Sequence, residues 1–330
     1  TEPPLLTFLK HFVLPHSSDE SPVLQRLKLL SSASKQYARF KVISNGQYLV
    51  YTEYDQARTN PTFDVAVADH SYKFDLYQLF PSRSVMVSET DDGCQLDNYS
   101  IARVINVNPQ VFADVMTRTG KLAQAAYEGT TLVAYHTEDG WKLRTTSCLD
   151  ASNSYYSSEK SHGDLFEEVC QRNFGKSSSD MFDELSVTYP DSYFVFVLVS
   201  RECQHICDHV EFADGTEVVL IHSRTNATHV EHDVKVQQLF KTSAESNVQE
   251  VLQTLAEEHQ FADKFVQKQG FVLIDERGYL IRVLTGAYYY ASTLIPTHNN
   301  AFETALHCYL LGTFHRFSAM QNMSQEVSKT

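Results

Sequence analysis

Residues 130–147 place the tightest constraint on how this chain can fold. The arm 130–136 (TTLVAYH) runs into the turn Thr137-Glu138-Asp139-Gly140, and 141–147 (WKLRTTS) returns from it. A glycine-closed turn between two β-prone arms is a hairpin signal, so the chain builds antiparallel sheet. Two further segments agree. Phe40, Val42 and Ile43 lead into Asn45-Gly46 and 48–51 leave it, which predicts a hairpin over 39–53 with a type I′ turn. Residues 271–275 and 279–284 pair in the same way around Arg277-Gly278. The run 193–200 (YFVFVLVS) has no polar alternation and suits a central strand buried on both faces, with 217–222 as another strand after Ala213-Asp214-Gly215. The segment 88–98 (SETDDGCQLDN) reads as a polar loop.

Helices are expected between these units. Ser21-Pro22 supplies a cap and a first-position proline, and Val23, Leu24, Leu27 and Leu30 follow at helical spacing. Leu165, Phe166, Val169 and Cys170 draw a second stripe. Over 246–259, Ser246 and Gln249 read as a capping box ahead of Val248, Val251, Leu252 and Leu255. A last helix over 301–314 places Phe302, Ala305, Leu306, Tyr309 and Leu310 on one face, before a polar tail at 318–330. Tyr288-Tyr289-Tyr290 suits either an exposed interaction surface or a core anchor. There is no internal repeat. The expected class is α+β, rich in antiparallel hairpins with inserted helices, divided into 1–110, 111–317 and the tail.

Charge narrows the partners. The 27 Lys and Arg stand against 41 Asp and Glu, a net −14, which repels phosphate backbones and leaves weak or no nucleic-acid binding as the expectation. Six cysteines match reduced thiols better than a disulfide scaffold. No apolar run approaches the roughly 18 residues of a membrane span, and residues 1–14 carry no charged n-region ahead of an apolar one. An intracellular setting is expected, in cytoplasm, nucleus or a virion.

The common enzyme signatures GxxxxGK[ST], GxGxxG, HExxH and GxSxG are absent. Cys203, His205, Cys207 and His209 alternate on an extended segment; structural zinc wants a knuckle and a distant ligand pair, so they read as thiols and surface histidines at a strand end. Asp91-Asp92 and Glu167-Glu168 read as solvated charge, and Asn226-Ala227-Thr228 as a polar turn.

The segment Ala126-Tyr127-Glu128-Gly129-Thr130 stands directly before the strong hairpin. A small-residue and carboxylate corner entering a strand is where a nucleotide can be held. The order of features from here resembles the covalent nucleotidyltransferase superfamily of RNA and DNA ligases and capping guanylyltransferases, and within it the ATP-dependent RNA-ligase-like proteins of large DNA viruses. That family opens a hairpin with KxDG or KxEG, then runs through a basic or hydroxyl return arm, an aromatic strand, an EG-containing strand and a KxK strand. Residues 127–130 (YEGT), 144–151 (RTTSCLDA), 193–200, 269–273 (QGFVL) and 280–284 (LIRVL) fall in that order. The resemblance covers residues 120–310 and implies a ligase-like core.

The departures lie on the chemistry. The family's lysine nucleophile falls on Ala126, its fourth-motif glutamate on Gln269, and its two closing lysines on Arg282 and Leu284. Lys121 and Lys142 are the nearest other amines. The resemblance implies pocket positions Ala126, Glu128, Gly129, Arg144, Phe194, Gln269 and Arg282. Three readings follow: a ligase-like protein without ligase chemistry, serving as a binding or structural component of a viral assembly beside other proteins; an active ATP-dependent RNA ligase using Lys142 or Lys121, with ATP, Mg²⁺ and Glu128 near the metal; or an unrelated α+β interaction module. Only the second requires a cofactor.

Overall fold

A computed structural model of the chain describes residues 3–14, 19–35, 37–44, 46–52, 62–67, 69–80, 82–101, 104–156, 158–203, 205–207, 212, 215–226, 241–242, 245–258, 266, 268–275, 280–294, 301–310, 312 and 314. The expected antiparallel hairpins organise it. In chain order, α1 (Pro4–His11) and α2 (Pro22–Ala33) precede β1 (Ala38–Ser44), β2 (Gln47–Thr52), β3 (Thr62–Val67), β4 (His70–Asp75), α3 (Leu76–Leu79), β5 (Ser84–Thr90), β6 (Gly93–Tyr99) and β7 (Val104–Asn106). Then come α4 (Pro109–Thr119), β8 (Ala123–Ala126), β9 (Thr130–Thr137), β10 (Gly140–Arg144), α5 (His162–Phe174), α6 (Ser178–Thr188), β11 (Ser192–Ser200) and β12 (Thr216–Thr225). The chain continues through β13 (Lys241–Thr242), β14 (Glu245–Ser246), α7 (Val248–Glu258), β15 (Gly270–Ile274), β16 (Leu280–Leu284), α8 (Gly286–Leu294) and α9 (Ala301–Leu310).

Three larger sheets carry the architecture. The first has the order β1-β2-β5-β6, the second β10-β9-β11-β12-β13 and the third β14-β8-β15-β16-β7. In the second, β11 is buried at every position, as its unbroken apolar run requires. One side of that strand sends Phe194, Phe196 and Leu198 into a core with Leu165, Phe166 and Val169 of α5 and Phe182 of α6. The other side sends Tyr193 and Val195 against Leu49, Tyr51 and Met86 of the first sheet. The N-terminal sheet therefore lies face to face with the second. The third sheet buries Phe271, Leu273, Ile281 and Val283 against Phe112 and Met116 of α4 and Val251 and Leu255 of α7.

Several local expectations change. Residues 88–98 are not a loop: β5 and β6 form a hairpin turning at Asp91-Asp92, with Gly93 at φ 117°. Cys94 and Asn98 are buried while Thr90, Asp91, Asp92 and Gln95 are exposed, so a polar composition hid a strand pair. The α7 cap is Asn247, not Ser246: its Oδ1 accepts from the Glu250 amide at 3.0 Å, and Glu250 Oε2 accepts from the Asn247 amide at 2.9 Å. On α9 the buried residues are Ala305 and Cys308, whereas Phe302, Leu306, Tyr309 and Leu310 are exposed. Tyr288 starts the inner side of α8, and Tyr289 and Tyr290 are exposed. Asn45, Arg277, Gly278, His209 and the tail 318–330 lie outside the described residues.

Candidate functional site at the corner between two sheets

Tyr127, Glu128 and Gly129 link β8 of the third sheet to β9 of the second. Strand β9 begins hard against β11: a Cβ on Gly129 would lie 2.3 Å from the Leu198 carbonyl oxygen, so only glycine fits. Across the third sheet the antiparallel register sets Ala126 opposite Gly270 and Gly270 opposite Leu284. The next row is Gln124, Val272 and Arg282. Directly opposed residues share a face, and alternate residues return to it. Ala126, Leu284 and Arg282 thus lie on one face, opposite the side that buries Phe271 and Val283.

At the end of that face three segments converge on Glu128. Its Oε2 accepts from the backbone amides of Ile206 and Cys207, both at 2.7 Å. Its Oε1 accepts from the Tyr288 hydroxyl at 3.3 Å, and Gln269 Nε2 donates to that hydroxyl at 3.0 Å. Burial pushes the Glu128 carboxyl up from its ordinary range, against the four influences that favour the carboxylate: the two amides, His205 and the Tyr288 hydroxyl. Burial also drives the Tyr288 hydroxyl upward, so it stays a neutral donor. Cys207 is buried and bridges in parallel to Val266, packing with Val266 and Ala291 beside Tyr288.

Ala126, Glu128, Gly129, Gln269 and Arg282 therefore come together here. Arg282 is turned to the sheet edge, where Nε donates to Asn106 Oδ1 at 2.8 Å. Arg144 and Phe194 do not join them. Arg144 is fully buried on the first sheet: Nε and Nη2 reach Asn98 Oδ1 at 3.1 and 2.8 Å, and Nη1 reaches Ser84 Oγ at 2.8 Å. Phe194 lies in the α5 and α6 core beside Trp141, ring centroids 5.9 Å apart. It stands four residues along β11 from Leu198, about 13 Å away.

The two alternative amines are also elsewhere. Lys142 pairs with Tyr135, five residues along β9 from Thr130 and about 17 Å from the corner. The Lys121 amine donates to the Ile274 carbonyl at 2.7 Å, four residues along β15 from the partner of Ala126. Among the described residues no three His, Cys, Asp or Glu side chains converge as a metal set. None of their helices is long and apolar enough to cross a membrane. All six cysteines are free thiols.

Tyr288 and the amides of Ile206 and Cys207 are the participants that sequence reasoning missed. A helix starting at 286 would have turned Tyr288 inward and Tyr289 outward; backbone amides leave no signal in side-chain identity. A histidine also stands behind the corner: His162 Nε2 is 3.1 Å from Thr130 Oγ1 and Nδ1 is 3.0 Å from Ser154 Oγ. Burial lowers its pKa, so from the ordinary 6.5 downward the unfolded chain binds the proton first and stability falls with pH. Melting curves of wild type and His162→Gln between pH 7 and 5 should converge as pH drops; parallel curves would remove this role.

No family model matches the chain, and no curated protein does. Solved structures do. An archaeal ATP-dependent RNA ligase is similar at 8% identity over 91% of this chain and 72% of that one, with a TM-score of 0.48. A putative ATP-dependent DNA ligase from Aquifex aeolicus is similar at 8% identity over 88% and 75%, with a TM-score of 0.43. The Naegleria gruberi RNA ligase with PPi is similar at 12% identity over 58% of each chain, with a TM-score of 0.37. Mutants of that ligase are solved with AMP or ATP and Mn.

Proposed function

We propose that this chain is a ligase-like nucleotidyltransferase scaffold that no longer forms the covalent lysyl-nucleotide intermediate and acts as a binding or structural component, alongside other proteins in an assembly such as a virion. The observation that carries the reading is the corner itself. Ala126 offers no amine where the resemblance requires one, and a displaced lysine would have to act from roughly 13 Å or more, whereas covalent catalysis needs placement to about an ångström. The remaining donors do not fit a nucleotide held through Mg²⁺. Glu128 is spent on two amides, Gln269 is neutral and bonded to Tyr288, and Arg282 is bonded to Asn106.

The test is incubation of purified protein with labelled ATP or GTP and Mg²⁺ or Mn²⁺, followed by denaturing separation and intact mass. The expected result is no adduct and no heat-stabilisation by nucleotide. An adduct stable to denaturation would overturn the reading, and peptide mapping would then show whether Lys121 or Lys142 carries it.

A further inference from the structure

Two successive backbone amides that converge on one oxygen, each at 2.7 Å, form a cradle for an oxyanion. In this chain the occupant is a side chain from 78 residues upstream of Ile206. Its carboxyl is held there although enclosure disfavours its charge, and the third donor, the Tyr288 hydroxyl, comes from α8. We infer that the Ile206–Cys207 amide pair is an oxyanion-binding site kept filled by Glu128 as an internal ligand, and that a small carboxylate or phosphate anion takes the same place when Glu128 is removed or displaced. This goes beyond the proposed function and needs neither nucleotide nor metal.

The geometry explains why an internal ligand stands here. Cys207 and Val266 pack beside Tyr288, so the cradle sits against apolar groups where unsatisfied amides are costly. Glu128 fills that need while tying the β8–β9 corner to the 205–207 segment and α8. Displacement would release both ties together. The site is a latch whose key is any oxyanion of matching size.

The experiment is chemical rescue. Glu128→Ala should melt about 6 °C below wild type, since the bonds to the Ile206 and Cys207 amides and to the Tyr288 hydroxyl are all lost. Sodium acetate, compared with sodium chloride at equal ionic strength, should restore roughly half of that shift in the variant and leave wild type unmoved. Inorganic phosphate in a parallel arm separates the two sources: rescue by acetate alone marks a carboxylate site, and rescue by phosphate as well marks a general oxyanion site. Amide resonances of ¹⁵N-labelled Ile206 and Cys207 should move in the variant and return on titration. Equal stabilisation of wild type and variant, or no recovery of either amide, overturns the inference. Should Glu128→Ala fail to fold, Glu128→Gln keeps an acceptor oxygen and must still shift both resonances; unchanged resonances overturn it too. No readout involves ATP, so this result and the adduct result stand apart.

Discussion

Arg144→Ala destabilises the protein by about 4 kcal/mol in urea unfolding, among the largest losses expected for a single side chain here. The guanidinium is fully buried and, among the described residues, has no carboxylate as a hydrogen-bond partner; Asn98 Oδ1 accepts twice, and Ser84 Oγ and the Thr145 carbonyl accept once each. Truncation leaves these acceptors in a dry cavity at the joint between the first and second sheets. Burial already pushes this group down to about 10, so the site disfavours its charge. Arg144→Met refills the volume but not the bonds, so about half the loss should remain. A loss within 1 kcal/mol for Arg144→Ala would show that the two sheets are not joined through this residue.

Gly270→Ala should cost at least about 3 kcal/mol and leave little folded protein. A Cβ there would stand 2.0 Å from the Val283 carbonyl oxygen and 3.0 Å from Leu284 Cα, on a backbone at φ 153°. The clash is with backbone of the partner strand, so no rotamer relieves it, and it falls on the row Ala126–Gly270–Leu284 that builds the corner. Gly140→Ala is the control. Its φ of 102° carries strain, but nothing lies within 4 Å of the added atom, so a loss of about 1 kcal/mol is expected. Equal losses for the two variants would mean that conformation, not close approach, decides both.

Much of the sheet framework was legible because hairpins are local. Gly46 and Gly140 have positive φ at the turns their sequences announce, and the apolar run of β11 is buried throughout. Two of the helices that escaped had readable ends: Asn108-Pro109 caps α4, and Ser177 with Asp180 forms a capping box on α6. Their apolar stripes are short and mixed with polar residues, so periodicity alone did not mark them. At the corner, the resemblance pointed to Ala126, Glu128, Gly129, Gln269 and Arg282, which meet in space. It also pointed to Arg144 and Phe194, whose strands β10 and β11 flank β9 in the second sheet but which face other cores. Strand membership is written in local pattern, whereas the partner of a buried polar group is chosen by tertiary packing. The Glu128 to Ile206 contact spans 78 residues and the Tyr288 to Glu128 contact 160, and no window of sequence holds either.

The third sheet has a consequence for how the chain is made. Its strands come from residues 104–106, 123–126, 245–246, 270–274 and 280–284, and β7 pairs in parallel with β16. During synthesis from the N-terminus, β7 and β8 emerge long before the segments that flank them. Their unpaired amides and carbonyls must wait while α5, α6 and the second sheet form, because the closing of so long a loop is entropically slow. The corner at Glu128 is thus among the last parts of the molecule to exist. A ribosome-bound chain ending before residue 270 would present β8 as an open edge, which is where nascent-chain chaperones or premature association would act.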